Sequence, residues 1–192
     1  MKLAIVDLGC GNIGSVRLAF GRFGVEPVVT SAPEEIAGAD KIILPGVGAA
    51  GFAMERIDTL GLRTTLTSLR QPALGICLGM QLLFDGSDEE DTACLGLIPG
   101  RVRALEAAPG RPVPHMGWSR VDVRTPGLGI SSGDYLYFAH SFACDDGPAV
   151  VATASYGSDV AAVVQRGNWL GAQFHPERSG EAGAGFLESF LA

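Results

Sequence analysis

Gly75-Ile76-Cys77-Leu78-Gly79 sets a thiol midway between two glycines. This is the cysteine form of the G-x-S-x-G nucleophile elbow, in which a strand ends, the chain turns sharply and a helix begins with the nucleophile at the turn. Glycines on either side omit the Cβ atoms that would clash there. Pro72-Ala73-Leu74-Gly75-Ile76 suits a buried strand, and residues 78–84 suit a helix whose positive end favours thiolate at Cys77. Cysteine catalysis needs a base that takes the thiol proton and returns it to the leaving group. The chain offers His115, His140 and His175. His175 lies in Gln173-Phe174-His175-Pro176-Glu177, where Pro176 restricts it to extended conformations and Glu177 is placed to fix the imidazole tautomer. No carboxylate follows His140, which reads as a structural or pocket-wall residue, and His115 beside Pro114 reads as a loop histidine. Attack on a carbonyl also needs an oxyanion site. The Leu78 N–H is its natural first donor, and Pro45-Gly46-Val47-Gly48 is a source for the second. Taken singly, each motif also has a plain structural reading: a buried cysteine between packing glycines, a surface His-Pro-Glu turn, an ordinary glycine turn.

What must hold these residues is a sheet. Apolar runs at 3–6, 28–29, 42–44 and 72–76 alternate with helical spacing over 14–23 and 52–69, the latter broken at Gly61. Such alternation predicts βαβ units, a parallel sheet and helices on both faces, with ligands bound beyond the carboxyl ends of the strands. Residues 7–12, 45–48 and Cys77 all fall at such ends. The second half changes character. Strands are expected at 101–105, 119–123, 135–138, 149–155, 160–165 and 169–174, and one helix at 181–191, where Phe186, Leu187, Phe190 and Leu191 form an apolar stripe. The expected architecture is a mostly parallel α/β sheet with antiparallel strands added to it, in a single domain over residues 1–192.

Composition excludes several classes. The net charge of −7 among 192 residues argues against nucleic acid as a main partner. The acidic run at 85–91 reads as a solvated loop. No apolar stretch approaches the length of a membrane span. The strand-like start 2–6 lacks the basic and apolar regions of a signal peptide, so a cytoplasmic location and reduced thiols are expected. Cys10, Cys77, Cys94 and Cys144 form no C-x-x-C pair, so no metal site is expected.

Together these motifs resemble the class I (triad-type) glutamine amidotransferases. Within them the chain is similar to the glutaminase subunits of imidazole glycerol phosphate synthases. The resemblance spans essentially the whole chain and rests on Val6-Asp7-Leu8-Gly9-Cys10-Gly11-Asn12, Leu44-Pro45-Gly46-Val47-Gly48, Gly75-Ile76-Cys77-Leu78-Gly79-Met80-Gln81, His115-Met116-Gly117-Trp118, Tyr137-Phe138-Ala139-His140-Ser141-Phe142 and Gln173-Phe174-His175-Pro176-Glu177. It implies a flavodoxin-like three-layer sandwich and a Cys77–His175–Glu177 triad acting on L-glutamine through a glutamyl thioester, without a cofactor. It implies that Gly48, Gln81, Ser141 and Phe142 line the glutamine pocket, and that Leu78 N–H and, after a peptide flip, Val47 N–H form the oxyanion hole. The ammonia is implied to pass to a (β/α)₈-barrel cyclase subunit that makes imidazole glycerol phosphate and an aminoimidazole carboxamide ribotide for histidine synthesis. Asn12 and Trp118 match the partner-facing segments, although as residue types a turn asparagine and a core tryptophan serve equally well. Leu8 and Ser119, where the family often has Tyr and usually Asn, are departures expected near that face. Alternatives are the glutaminase of a pyridoxal phosphate synthase, which usually carries Pro-Gly-Gly instead of Pro45-Gly46-Val47-Gly48, a cysteine peptidase or redox sensor, which commonly takes its histidine directly after the cysteine where this chain has Leu78, and a non-catalytic domain that keeps only the fold.

Overall fold

The structure is a computed structural model that describes residues 1–144 and 146–192. The chain first runs β1 (Leu3–Val6), α1 (Ile13–Gly21), β2 (Val28–Thr30), α2 (Pro33–Ala37), β3 (Lys41–Gly46), α3 (Ala50–Thr59), α4 (Leu62–Ser68), β4 (Ala73–Cys77) and α5 (Leu78–Gln81). It continues through β5 (Phe84–Ser87), β6 (Thr92–Ala93), β7 (Ile98–Ala104), β8 (His115–Val123), β9 (Tyr135–His140), β10 (Phe142–Cys144), β11 (Val150–Ser155), β12 (Asp159–Arg166), β13 (Trp169–Ala172) and α6 (Gly180–Leu191). Gly61, at φ +67°, breaks α3 from α4 as its residue type predicts.

Among the described residues nine strands form one sheet in the order β2-β1-β3-β4-β13-β12-β11-β8-β9. The pairs from β2 to β13 are parallel, and those from β13 to β9 are antiparallel. Period-two alternation along β1 divides the core. Leu3 and Ile5 pack with Val16 and Phe20 of α1 and with Phe186, Leu187 and Phe190 of α6. Ala4 and Val6 pack on the other face with Met54 and Ile57 of α3 and Leu62 and Leu66 of α4. Each fully buried phenylalanine or leucine of these layers contributes about 2 kcal/mol from removal of its surface from water. The result is a helix–sheet–helix sandwich.

Three expectations are corrected. The strand at 101–105 does not join the large sheet. As β7 it belongs to a second sheet, β10-β7-β5-β6, which covers one end of the α3–α4 face. The helix expected over 78–84 lasts one turn, because the Leu82, Leu83 and Phe84 carbonyls accept hydrogen bonds from Leu95, Leu97, Ile98 and Gly96. The acidic run is not a free loop. Asp85 and Asp88 accept hydrogen bonds from the Gly100 N–H and the Arg101 guanidinium, and Glu89 Oε2 accepts the Ala50 N–H at the start of α3, 2.8 Å away. No helix among the described residues is long and apolar enough to cross a membrane.

Candidate active site

Register brings the chemistry together. β4 lies between β3 and β13, with Gly46 opposite Cys77 and Ala172 opposite Ile76, so Val47, Cys77 and Gln173 leave the sheet side by side. Cys77 ends β4 at φ 54°, ψ −111°, a conformation sparsely used by residues with a side chain. The flanking glycines make this turn passable. A Cβ on Gly75 would lie 2.5 Å from the Gly79 carbonyl oxygen, and one on Gly79 would lie 1.8 Å from that of Leu44. α5 is only four residues long, so the helix dipole at Cys77 is that of a single turn.

His175 is held from both sides. The His175 N–H donates to the Tyr137 carbonyl of β9 at 2.8 Å, and the buried Ser179 hydroxyl donates to the His175 carbonyl at 2.7 Å. Its backbone is extended before Pro176, at φ −97°, ψ 95°. Nδ1 lies 2.9 Å from Glu177 Oε1, with both side chains nearly closed to solvent. The other Glu177 oxygen, Oε2, is buried without a partner among the described residues, so the imidazole is this carboxylate's strong contact. Burial alone would lower the His175 pKa. Hydrogen bonds and charges from Cys77 and Glu177 overcome it and raise the imidazole to about 10. Cys77, His175 and Glu177 thus form one connected constellation.

The other two histidines are tied into a chain of hydrogen bonds. His140 Nδ1 lies 2.8 Å from the Phe142 carbonyl, which can only accept, so that nitrogen carries the proton. Its Nε2 then accepts from His115 Nδ1 at 3.0 Å, and His115 Nε2 accepts from the Ser119 hydroxyl at 2.8 Å. Both rings are held neutral: desolvation lowers the His115 pKa and pushes that of His140 down to about 4. His115 is therefore not the loop residue expected. It is buried at the start of β8, stacked between Phe138 and Tyr156.

A cavity of about 440 Å³ opens above these residues, within the range of small-molecule sites. Asn12, Val47, Gly48, Cys77, Leu78, Gln81, Ser141, Phe142 and His175 all line it. Glu177 stands behind His175, outside the lining. Trp118 lies outside it as well, 54% exposed and edge-on to Tyr137, which settles its choice between core and surface. Asn12 also caps α1, accepting the Ser15 N–H. Of the two departures, Leu8 is wholly buried in the core and not at a surface, while Ser119 serves the His115 chain. Sequence reasoning missed Glu89, Met116 and Arg178 in the lining. The acidic run contained the signal for Glu89, since it holds the only carboxylates between the elbow and the next basic strand.

The fold and the site define an α/β protein with a cysteine–histidine–carboxylate constellation at a strand-end elbow. Comparison with known proteins makes this specific. The family model "Glutamine amidotransferase class-I" matches residues 4–192, and the chain belongs to that family. It is 49% identical over 193 residues to the imidazole glycerol phosphate synthase subunit HisH of Xylella fastidiosa (strain Temecula1), covering 99% of this chain and 96% of that protein. It is 44% identical to the subunit of the same name from Idiomarina loihiensis, covering 100% and 97%. Among solved structures, a glutamine amidotransferase superposes with a TM-score of 0.77 at 20% identity, with complete coverage of both chains. The PurLQS structure from Thermotoga maritima gives 0.73 at 20% identity, over 99% of this chain and 97% of that one. At such identity these two structures speak to the fold alone.

Proposed function

We propose that the chain is the glutaminase subunit of an imidazole glycerol phosphate synthase, acting as a single domain over residues 1–192 in the cytoplasm and without a cofactor. The observation that carries this reading is the thiol of Cys77 in a cavity whose wall holds His175, with the buried Glu177 side chain bonded behind it. The Cys77 thiolate attacks the side-chain amide carbon of glutamine. The oxyanion is met by the Leu78 N–H and by the Val47 N–H once the Gly46–Val47 peptide turns inward, a rotation that Gly46, lacking a Cβ, permits. His175, as imidazolium, gives its proton to the nitrogen as the C–N bond breaks, and ammonia leaves. The glutamyl thioester remains. Neutral His175 then takes a proton from water as the water attacks the thioester carbon, and the thiolate is expelled with glutamate. Glu177 keeps the imidazole oriented and supports its cationic form.

The rest of the cavity suits the amino-acid end of the substrate. Both hydrogens of the Gln81 amide are committed, to the Phe142 carbonyl at 2.8 Å and to Gln173 Oε1 at 2.9 Å, so Gln81 offers glutamine its Oε1 acceptor. Among the described residues Glu89 is the one carboxylate in the lining, and it is suited to the α-ammonium. Gly48, Ser141 and Phe142 contribute backbone groups. The exposed side chains of Met116 and Trp118 on β8, with Asn12 at the cavity, form the face for a (β/α)₈-barrel cyclase that receives the ammonia. Enclosure between two proteins keeps ammonia unprotonated and nucleophilic.

Two measurements test this reading. Glutamate release is expected to be slow for the isolated chain and strongly accelerated when barrel cyclase loaded with its phosphoribulosyl nucleotide is added. Equal turnover with and without it sinks the coupling, and failure to form a complex sinks the subunit assignment. Second, the raised pKa of His175 means that its protonated form persists to about pH 10. The stabilisation it gives the fold is complete below the unfolded value of about 6.5 and is lost as pH rises through about 10. An alkaline limb in kcat/KM is expected in that same region, as the proton needed by the leaving nitrogen is lost. A limb near neutrality would contradict it.

A further inference from the structure

Gln173 follows β13, is wholly buried, and has no part in the mechanism above. Its amide spans two groups that do. Oε1 accepts from Gln81 Nε2 at 2.9 Å, and Nε2 lies 3.8 Å from Cys77 Sγ, within reach of a long hydrogen bond to sulfur. The orientation of this amide follows from its neighbours. The Phe142 carbonyl can only accept, so the Gln81 atom 2.8 Å from it must be the nitrogen. The second hydrogen of that nitrogen points at Gln173, so Gln173 must present its oxygen there. What remains to face the sulfur is the Gln173 N–H. The chain of donors therefore ends on Cys77, and it cannot be reversed without setting two donors against each other.

An N–H hydrogen bond to a thiolate is charge-assisted and stronger than one to a thiol. The Ala139 carbonyl, 3.8 Å from the same sulfur on another side, accepts only from the thiol. The two contacts therefore favour opposite protonation states. We propose that Gln173 is a further catalytic residue, whose amide N–H holds the Cys77 sulfur in its thiolate form while its carbonyl fixes Gln81 in the substrate pocket. The contact is present before glutamine binds and weakens when the sulfur becomes a thioester, which is a poor acceptor, so it acts on the resting nucleophile. This rests on the reading of Cys77 as the nucleophile.

The experiment measures alkylation of Cys77 by iodoacetamide against pH, with the modified peptide identified by mass spectrometry, in wild type, Gln173→Leu and Gln81→Leu. In wild type, loss of glutaminase activity must track modification of Cys77; if it does not, the reading of the nucleophile fails before the role of Gln173 is in question. In Gln173→Leu the midpoint of the alkylation profile is expected to move up by about one pH unit, and kcat/KM to fall by about tenfold to a hundredfold, as for loss of a hydrogen bond to a charged group. In Gln81→Leu, which removes only the orienting partner of Gln173, the midpoint is expected to move less than in Gln173→Leu while KM for glutamine rises. An unmoved midpoint in folded Gln173→Leu overturns the proposal and leaves Gln173 as packing. If that variant does not fold, the Gln173 side-chain N–H resonance of the wild-type protein decides. It is expected to titrate with the thiol and to stop doing so in Cys77→Ala, and a resonance indifferent to the thiol overturns the proposal equally.

Discussion

Replacing Cys77 by serine or alanine is expected to lower glutamine hydrolysis by on the order of a millionfold, the scale seen when a covalent nucleophile is removed. The effect should fall on kcat and leave the fold intact. Serine differs from cysteine by one atom, and the backbone at φ 54° is no more strained for one than for the other. Serine fails chemically. Its hydroxyl holds its proton far more tightly than a thiol, and the His175–Glu177 pair is arranged to share charge with a sulfur anion. The control separates chemistry from assembly. With the cyclase subunit bound, the variant should still support synthesis from ammonium salts supplied at alkaline pH, because the ammonia then bypasses this subunit. Glutamate release is followed in one assay and cyclised product in the other. Retention of glutamine hydrolysis in Cys77→Ala would refute the mechanism, and loss of ammonia-dependent synthesis would mean the substitution had damaged the complex.

Much of this site is legible in the sequence, and the physical reasons are local. The elbow was legible because a turn with a side chain at its apex tolerates only glycine at Gly75 and Gly79. The His175–Glu177 pair was legible because Pro176 leaves few conformations for the intervening backbone. β1, β3, β4 and β13 were legible because strands buried on both faces are continuously apolar. The same rule explains the failure at 78–84. Every residue from Leu78 to Phe84 is buried, so the segment carries no periodicity to distinguish one helical turn followed by a strand from a longer helix. α2 was missed because five residues hold one buried side chain, Ile36, and a single position has no period. The second sheet was missed because strand pairing is non-local: nothing in the run 85–91 announces that β5 will lie parallel to β7. His115 was misread for a related reason. Its burial depends on Tyr156 and His140, residues far along the chain whose rings meet it only after β8 and β9 have paired.

Gly79→Ala is expected to be the most damaging single-methyl change in the chain, and for reasons separate from catalysis. The added Cβ would stand 1.8 Å from the Leu44 carbonyl oxygen, a backbone atom of β3 that cannot rotate away. Relief requires α5 to move off the sheet. That movement would take Cys77 with it and disturb the backbone around Gly46, whose own would-be Cβ already lies 2.9 Å from the Gly79 nitrogen. Overlaps of this kind are among the few mechanisms by which one substitution costs more than about 4 kcal/mol, a large share of the roughly 5–15 kcal/mol that stabilises a typical domain. Chemical denaturation of Gly79→Ala should therefore show a much lower midpoint than wild type, or no cooperative transition at all. Gly14→Ala provides the comparison. It lies within α1 with no heavy atom within 4 Å of its would-be Cβ, and alanine has the higher helix propensity, so that variant should match or exceed wild-type stability. If Gly79→Ala unfolds at the wild-type midpoint, the close approach of β3 to the elbow is not what holds Cys77 in its strained conformation. In that case the role of the two glycines must lie in backbone freedom alone.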